Sequence, residues 1–239
     1  MTAVTVEELI RRLDSMQARG PIPFDVRKGE IFGLLCPNGS GKSTLVALLT
    51  TLLIPMPEYA ERSAFAILGN LGDVRRSLAI VFQEQILDPQ MTGRENLDFH
   101  ARLHGIGEDI RNRRIRSILE RMALTDLADL PVKTYAPGQV KRFEIARSLV
   151  HNPTLLLMAE PTGGLDSGSR KDIWDALCAL NRELGVTIIF TSHHIEEIDH
   201  LCNRVAIVDG GEIVALDTPE TFRTLLGGDA AAFELGDTV

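Results

Sequence analysis

Residues Glu30–Leu45 read EIFGLLCPNGSGKSTL, and the fold follows from this stretch. Ile31–Leu35 is an unbroken apolar run of buried-strand length. It leads straight into Cys36-Pro37-Asn38-Gly39-Ser40-Gly41-Lys42-Ser43-Thr44, a glycine-rich turn, and Lys42–Leu53 then reads as a helix. Strand, glycine turn and helix in that order are the context a phosphate-binding P-loop requires. Backbone N–H groups of Gly39 through Ser43 can wrap a phosphate at the positive end of that helix. Lys42 would reach the β- and γ-phosphates, and the Ser43 hydroxyl would ligate Mg²⁺. Cys36 stands where such loops usually carry their first glycine. If that position demands positive φ, its Cβ costs about 1–2 kcal/mol.

Outward from this turn, strands and helices alternate. Leu78–Phe82 reads as a second strand. Thr92 and Glu95 form a capping box that opens a helix over Asn96–His104. The pattern stays helical to Val150, where Pro153 ends it. Strands return at Leu155–Met158 and Thr187–Thr191, separated by a helical stretch over Arg170–Leu184. Val205–Asp209 and Glu212–Leu216 flank Gly210-Gly211, the dipeptide of a tight hairpin. Thr218 before Pro219 is an N-cap followed by an N1 proline, opening a last helix that ends near Gly227-Gly228. Strand–helix–strand units interrupted by an all-helical block predict an α/β fold with a parallel sheet and a helical insertion.

The 239 residues suffice for one large α/β domain. A formal net charge of −8 argues against nucleic acid as the main partner. The basic cluster Arg111–Arg116 lies among Ile115, Ile118, Leu119 and Met122 at helical spacing, so it is expected to be the solvated face of an amphipathic helix. Three widely spaced cysteines suit a reducing cytosol, and the charged N-terminus lacks the apolar core of a signal peptide. No apolar run reaches the length of a membrane span, so any spanning would fall to another polypeptide.

Four blocks, in order, resemble the ATPases of ATP-binding cassette (ABC) transporters over roughly residues 24 to 235. They are FDVRKGEIFGLLCPNGSGKSTL (Phe24–Leu45), VFQEQILDPQMTGRENLDFHARLHGI (Val81–Ile106), TYAPGQVKRFEIARSLVHNPTLLLMAEPTGGLD (Thr134–Asp166) and TIIFTSHHIEEIDHLCNRVAIVDGGEIVALDTP (Thr187–Pro219). The nearest resemblance is to the daunorubicin-resistance and nodulation-factor exporters. It implies a P-loop NTPase core from 1–87 and 151–239, a helical signature subdomain at 88–150, and a reduced N-terminal antiparallel β subdomain, together one domain over 1–239. It further implies that Gln83 touches Mg²⁺ or the attacking water, that Glu160 is the general base, and that His193 holds the γ-phosphate. Gly138 and Gln139 would face the nucleotide of a second subunit, and Asp166 would lie at the dimer interface. The implied protein is the ATP-binding subunit of an exporter, cytoplasmic and peripheral on the inner face of the cell membrane. It would use ATP and Mg²⁺, pair with a second ABC ATPase subunit in a homo- or heterodimer, and drive a separate transmembrane permease.

The chain departs from that pattern at several points. Ala159 occupies the Walker B aspartate position, and Ala136-Pro137-Gly138 stands where the signature reads Ser-Gly-Gly. Alanine removes a hydroxyl donor and proline a backbone N–H, each worth about 1.5–3 kcal/mol against charge. Residues 1–23 contain no aromatic to stack on adenine, and Ile54–Asn70 lacks the expected turn and strand pair. These losses raise a second reading, a hydrolysis-impaired regulatory module docked on such a transporter. A DNA-repair-type or translation-associated cassette is disfavoured, because no coiled-coil insertion or tandem cassette is present.

Overall fold

Among the described residues the chain runs β1 (Thr2–Thr5), β2 (Asp25–Arg27), β3 (Ile31–Leu35), β4 (Leu78–Val81), α1 (Gly93–Leu103), α2 (Glu108–Arg121), α3 (Pro137–Leu149), β5 (Leu155–Ala159), α4 (Ser167–Leu184), β6 (Thr187–Ser192), α5 (Ile195–Leu201), β7 (Arg204–Asp209), β8 (Glu212–Asp217) and α6 (Pro219–Leu225). The structure, a computed structural model, describes residues 2–5, 25–36, 77–209 and 212–225. The residues Pro37–Thr44 of the glycine turn, the expected helix Lys42–Leu53, the segment Ile54–Asn70 and the hairpin dipeptide 210–211 lie outside these. The described residues fall into two compact units, one within Met1–Gly69 and Thr187–Val239, the other within Asn70–Val186.

In the first unit β3 is flanked by parallel strands on both sides, β6 and β7, and β8 closes onto β7 antiparallel, giving the order β6-β3-β7-β8. Every residue of β6 and the first four of β3 are buried. Covered on both faces, such strands need continuous apolar runs, which is why these two were legible as strands. Glu30 and Asn203 fix the entry to β3. Asn203 Oδ1 accepts from Ile31 N at 2.8 Å, and Arg204 approaches the buried Glu30 carboxylate at 3.4 Å. Strands β1 and β2 form a separate antiparallel pair.

In the second unit β4 and β5 pair in parallel, from Leu78↔Leu155 to Val81↔Met158. Helices α1 to α3 close over a core that includes Leu97, Leu119, Leu124, Phe143 and Ile145, each fully buried or nearly so. The capping box is present as expected: Glu95 N donates to Thr92 Oγ1 at 3.1 Å, and Thr92 N donates to Glu95 Oε2 at 2.8 Å. The helix it opens begins at Gly93, not Asn96, because a box places its N-cap at Thr92. Asn96 is inside the helix and buried. It accepts from Asp88 N at 2.9 Å and donates to Asp88 O and Thr92 O, tying down the loop that precedes α1.

The basic cluster divides, contrary to expectation. Ile115, Ile118, Leu119 and Met122 do line the core, and Arg113 and Arg116 are exposed. Arg111, however, is buried, pairing with Asp98 of α1 and donating to Ile106 O at 3.1 Å. Arg114 reaches Val150 O. A guanidinium can satisfy a carboxylate and a carbonyl at once, and that geometry brings the two helices together.

Candidate functional site

In each unit the residues with chemistry lie at the carboxyl ends of adjacent parallel strands. Open α/β sheets bind ligands at that edge. In the first unit Leu35 pairs with Ser192, so Cys36 and His193 are the next residues beyond the paired ends of β3 and β6. Cys36 N donates to Ser192 O at 3.0 Å, and Cys36 is buried. Positive φ outside glycine occurs, among the described residues, at Ala123, Asn152 and Glu160. Cys36 therefore carries no left-handed strain, and the feared cost of a Cβ at this position does not arise. His193 is exposed, its ring 4.0 Å from that of His194, whose backbone N–H donates to Ser192 Oγ at 3.0 Å.

In the second unit Val81 pairs with Met158, which sets Gln83 and Glu160 each two residues beyond that pair. Gln83 Nε2 lies 3.5 Å from Glu160 Oε2, a long donor contact that links two of the expected residues. Glu160 has φ +46 and is followed by Pro161, although a residue before proline favours extended backbone. Strain of this kind, on the order of 1–3 kcal/mol, persists where surroundings over-determine a functional conformation. A turn closes behind it, with Gly163 N donating to Glu160 O at 3.1 Å. Ala159 ends β5 without a side-chain ligand, as its identity dictates.

Two helix starts complete this unit's residues. Asp166 caps α4, its Oδ1 accepting from Ser169 N at 2.9 Å and its Oδ2 from Ser169 Oγ at 2.7 Å. These bonds hold its carboxyl below the usual aspartate range. Ala136 is the N-cap of α3 and has no side-chain acceptor, while Gln139 Oε1 accepts from Ala136 N at 2.9 Å. The Gln139 carbonyl, expected at a partner's nucleotide, is thus engaged within its own helix. Gly138 is buried where the two helix starts meet: a Cβ there would stand 2.6 Å from Ser169 Oγ.

Several supporting residues were not foreseen from the sequence. Lys141 and Glu144, both buried on α3, form an ion pair at 2.7 Å. Lys141 Nζ also donates to Phe82 O at 3.1 Å, and Glu144 Oε1 accepts from Ile86 N at 2.9 Å, so the pair fixes the backbone on both sides of Gln83. Tyr135, next to the altered signature, donates to Leu127 O at 2.6 Å and accepts from Gly93 N at 3.2 Å. Its ring stacks on Phe143 with centroids 4.7 Å apart. A lysine and a glutamate three apart inside an apolar helix, VKRFEIA, were the available signal for the first pair.

Comparison with known proteins gives a consistent picture. The family profile described as ABC transporter matches residues 20–163. The linearmycin resistance ATP-binding protein of Bacillus subtilis is 38% identical over 208 residues, covering 87% of this chain and 67% of that protein. A daunorubicin resistance ATP-binding protein of Streptomyces coeruleorubidus is 35% identical over 228 residues, covering 95% of this chain and 72% of its own length. Among solved structures, cbiO1 of Clostridium perfringens, part of the ABC transporter complex cbiONQ, superposes with a TM-score of 0.74. It is 28% identical, with 85% of this chain and 82% of that one covered.

Proposed function

Because the chain belongs to the ABC transporter family and is an ATP-binding ATPase subunit of the drug-exporter type, we propose that it powers a separate transmembrane permease, with Glu160 as general base and Gln83 as its companion. The observation that carries this is the contact between Gln83 Nε2 and Glu160 Oε2 at the ends of two paired parallel strands. A carboxylate so placed takes a proton from water as it attacks the γ-phosphate, and the amide orients that water. His193 and Lys42 bind the γ-phosphate, and backbone N–H groups of Gly39 through Ser43 cradle the others. The first-turn N–H groups of Gly138 and Gln139, at the positive start of α3, approach nucleotide held by a second ABC ATPase subunit, and Asp166 lies near that interface.

Mg²⁺ fits these residues in kind. Gln83 turns its amide nitrogen to Glu160, which leaves its carbonyl oxygen as the end suited to a cation, and Ser43 supplies a hydroxyl; both are the hard oxygen donors Mg²⁺ takes. The ion would neutralise charge between the β- and γ-phosphates. Ala159 contributes nothing to its water shell.

No described helix is long and apolar enough to cross a membrane, and we place this chain against its permease on the cytoplasmic face. Exposed Ile86, Phe99 and Leu103, near Gln83 and on α1, form the contact surface we assign to that partner. Its cargo we place among compounds of the kind named in its relatives, linearmycin and daunorubicin. The test is ATP turnover by the purified chain with and without its co-purified membrane partner. Turnover should rise with the partner and fall by about 100-fold or more in Glu160→Gln. Turnover indifferent to that substitution would remove Glu160 from the reaction.

A further inference from the structure

We propose that His100, His104 and His151 form a binding site for a divalent transition-metal ion, Zn²⁺ by the chemistry of its donors, separate from the nucleotide machinery. His100 on α1 and His104 at its C-cap are one turn apart, with ring centroids 4.7 Å apart, and His151 follows the end of α3. The His104 and His151 rings stack at 4.0 Å, and one ligand nitrogen from each of the three lies within 4.8 Å of the others. This gathers three imidazoles from two segments; because stacking holds the His104 and His151 lone pairs in parallel planes, His104 must turn for both to meet one ion.

Two of these nitrogens lack a partner although buried: His100 Nε2 and His151 Nδ1. For His151 the tautomer follows from chemistry. Its Nε2 lies 3.1 Å from Leu78 O, and a carbonyl only accepts, so Nε2 carries the proton and the buried Nδ1 keeps a free lone pair. A backbone carbonyl holding the far nitrogen of a histidine is the arrangement that orients metal-bound imidazoles. Burial, with nearby positive charge, keeps His100 down at about 3 and His151 at about 4, so both rings are neutral, the form a metal requires. His104 is exposed, so it can turn to complete the set without disturbing the core. Three imidazoles without a carboxylate suit Zn²⁺ and leave a fourth position for water, whereas Mg²⁺ and Ca²⁺ seek oxygen.

Arg147 limits the affinity. Its Nη1 lies 3.2 Å from His100 Nδ1, and a guanidinium only donates, so His100 must release this contact to offer Nε2. Together with Arg114 beside His151, this positive charge opposes a cation. Binding in the micromolar range is the expectation, and occupation would pin the end of α1 to the segment that follows α3.

The experiment uses the untagged full chain, stripped with EDTA and titrated with ZnCl₂ against a chromophoric chelator without nucleotide. Co²⁺ replaces Zn²⁺ in a parallel titration to give the visible absorption of a tetrahedral site. One Zn²⁺ per chain is expected, with affinity falling about tenfold or more in His104→Ala and again in His104→Ala/His151→Gln. His200→Ala, which removes a histidine outside the cluster, should bind as the parent does. Circular dichroism confirms that each variant is folded. Absence of Zn²⁺ uptake by the parent, or affinity unchanged in folded His104→Ala, overturns the proposal.

Discussion

The starts of α3 and α4 meet at Gly138 and Ser169, yet they treat their exposed N–H groups in opposite ways. At α4 the Asp166 carboxylate accepts from both the backbone and the hydroxyl of Ser169, so the helix satisfies its own donors. At α3 the N-cap is Ala136, and its first turn receives no side-chain cap. A helix start closed by its own carboxylate repels an anion, and one without a cap attracts it. Two adjacent helix starts can therefore serve different ends, one anchoring the fold and the other presenting its dipole to a phosphate. Yet the supports of the uncapped start are intact: Tyr135 behind it, and Lys141 with Glu144 one turn in.

That contrast is sharpened most by restoring groups. Ala159→Asp with Ala136→Ser and Pro137→Gly should raise ATP turnover by about 100-fold or more while changing ATP affinity little, since preorganised donors act on the transition state. Steady-state kinetics beside nucleotide titration measures this, and an affinity gain equal to the rate gain would contradict it. Next in size, Gly138→Ala should cost about 1–3 kcal/mol by overpacking where the two starts meet. Adding Ser169→Gly should recover part of that loss in urea denaturation.

How much of this was legible depends on how local each interaction is. The Thr92–Glu95 box and the apolar runs of β3 and β6 could be read directly, because their causes lie within a few residues. Arg111 could not: its carboxylate sits thirteen positions away on another helix, so a charge in a basic cluster read as solvated. Lys141 and Glu144 failed for the same reason, since their partners Phe82 and Ile86 belong to a distant loop. At the site, Gln83 and Glu160 lie just beyond the strand ends and within 3.5 Å of each other. Gln139 and Asp166, read as facing a second subunit, are instead engaged by contacts three residues away, as local as the Thr92–Glu95 box.

Smaller effects test the two caps themselves. Asp166→Ala should lower the melting temperature by a few degrees, whereas Ala136→Ser should raise it slightly, with calorimetry distinguishing the two signs. A further test uses pH dependence. His100 and His151 have depressed values, so the unfolded chain binds protons more readily, and stability should fall as pH drops below 6.5 toward about 4. The Asp166 cap contributes above the ordinary value of 3.8 and is lost only below it. Urea midpoints from pH 7 to pH 4 should therefore decline in the parent and less in His151→Gln. An equal decline in both would assign the acid sensitivity elsewhere.

The left-handed backbone of Glu160 sets the proposed general base between two selections. Glycine is the residue that conformation prefers, so Glu160→Gly removes a Cβ from φ +46 and should make the chain melt higher, while abolishing turnover. A screen for thermal tolerance alone would drift toward that glycine. A screen for transport would keep the glutamate and accept a chain less stable than its own backbone allows.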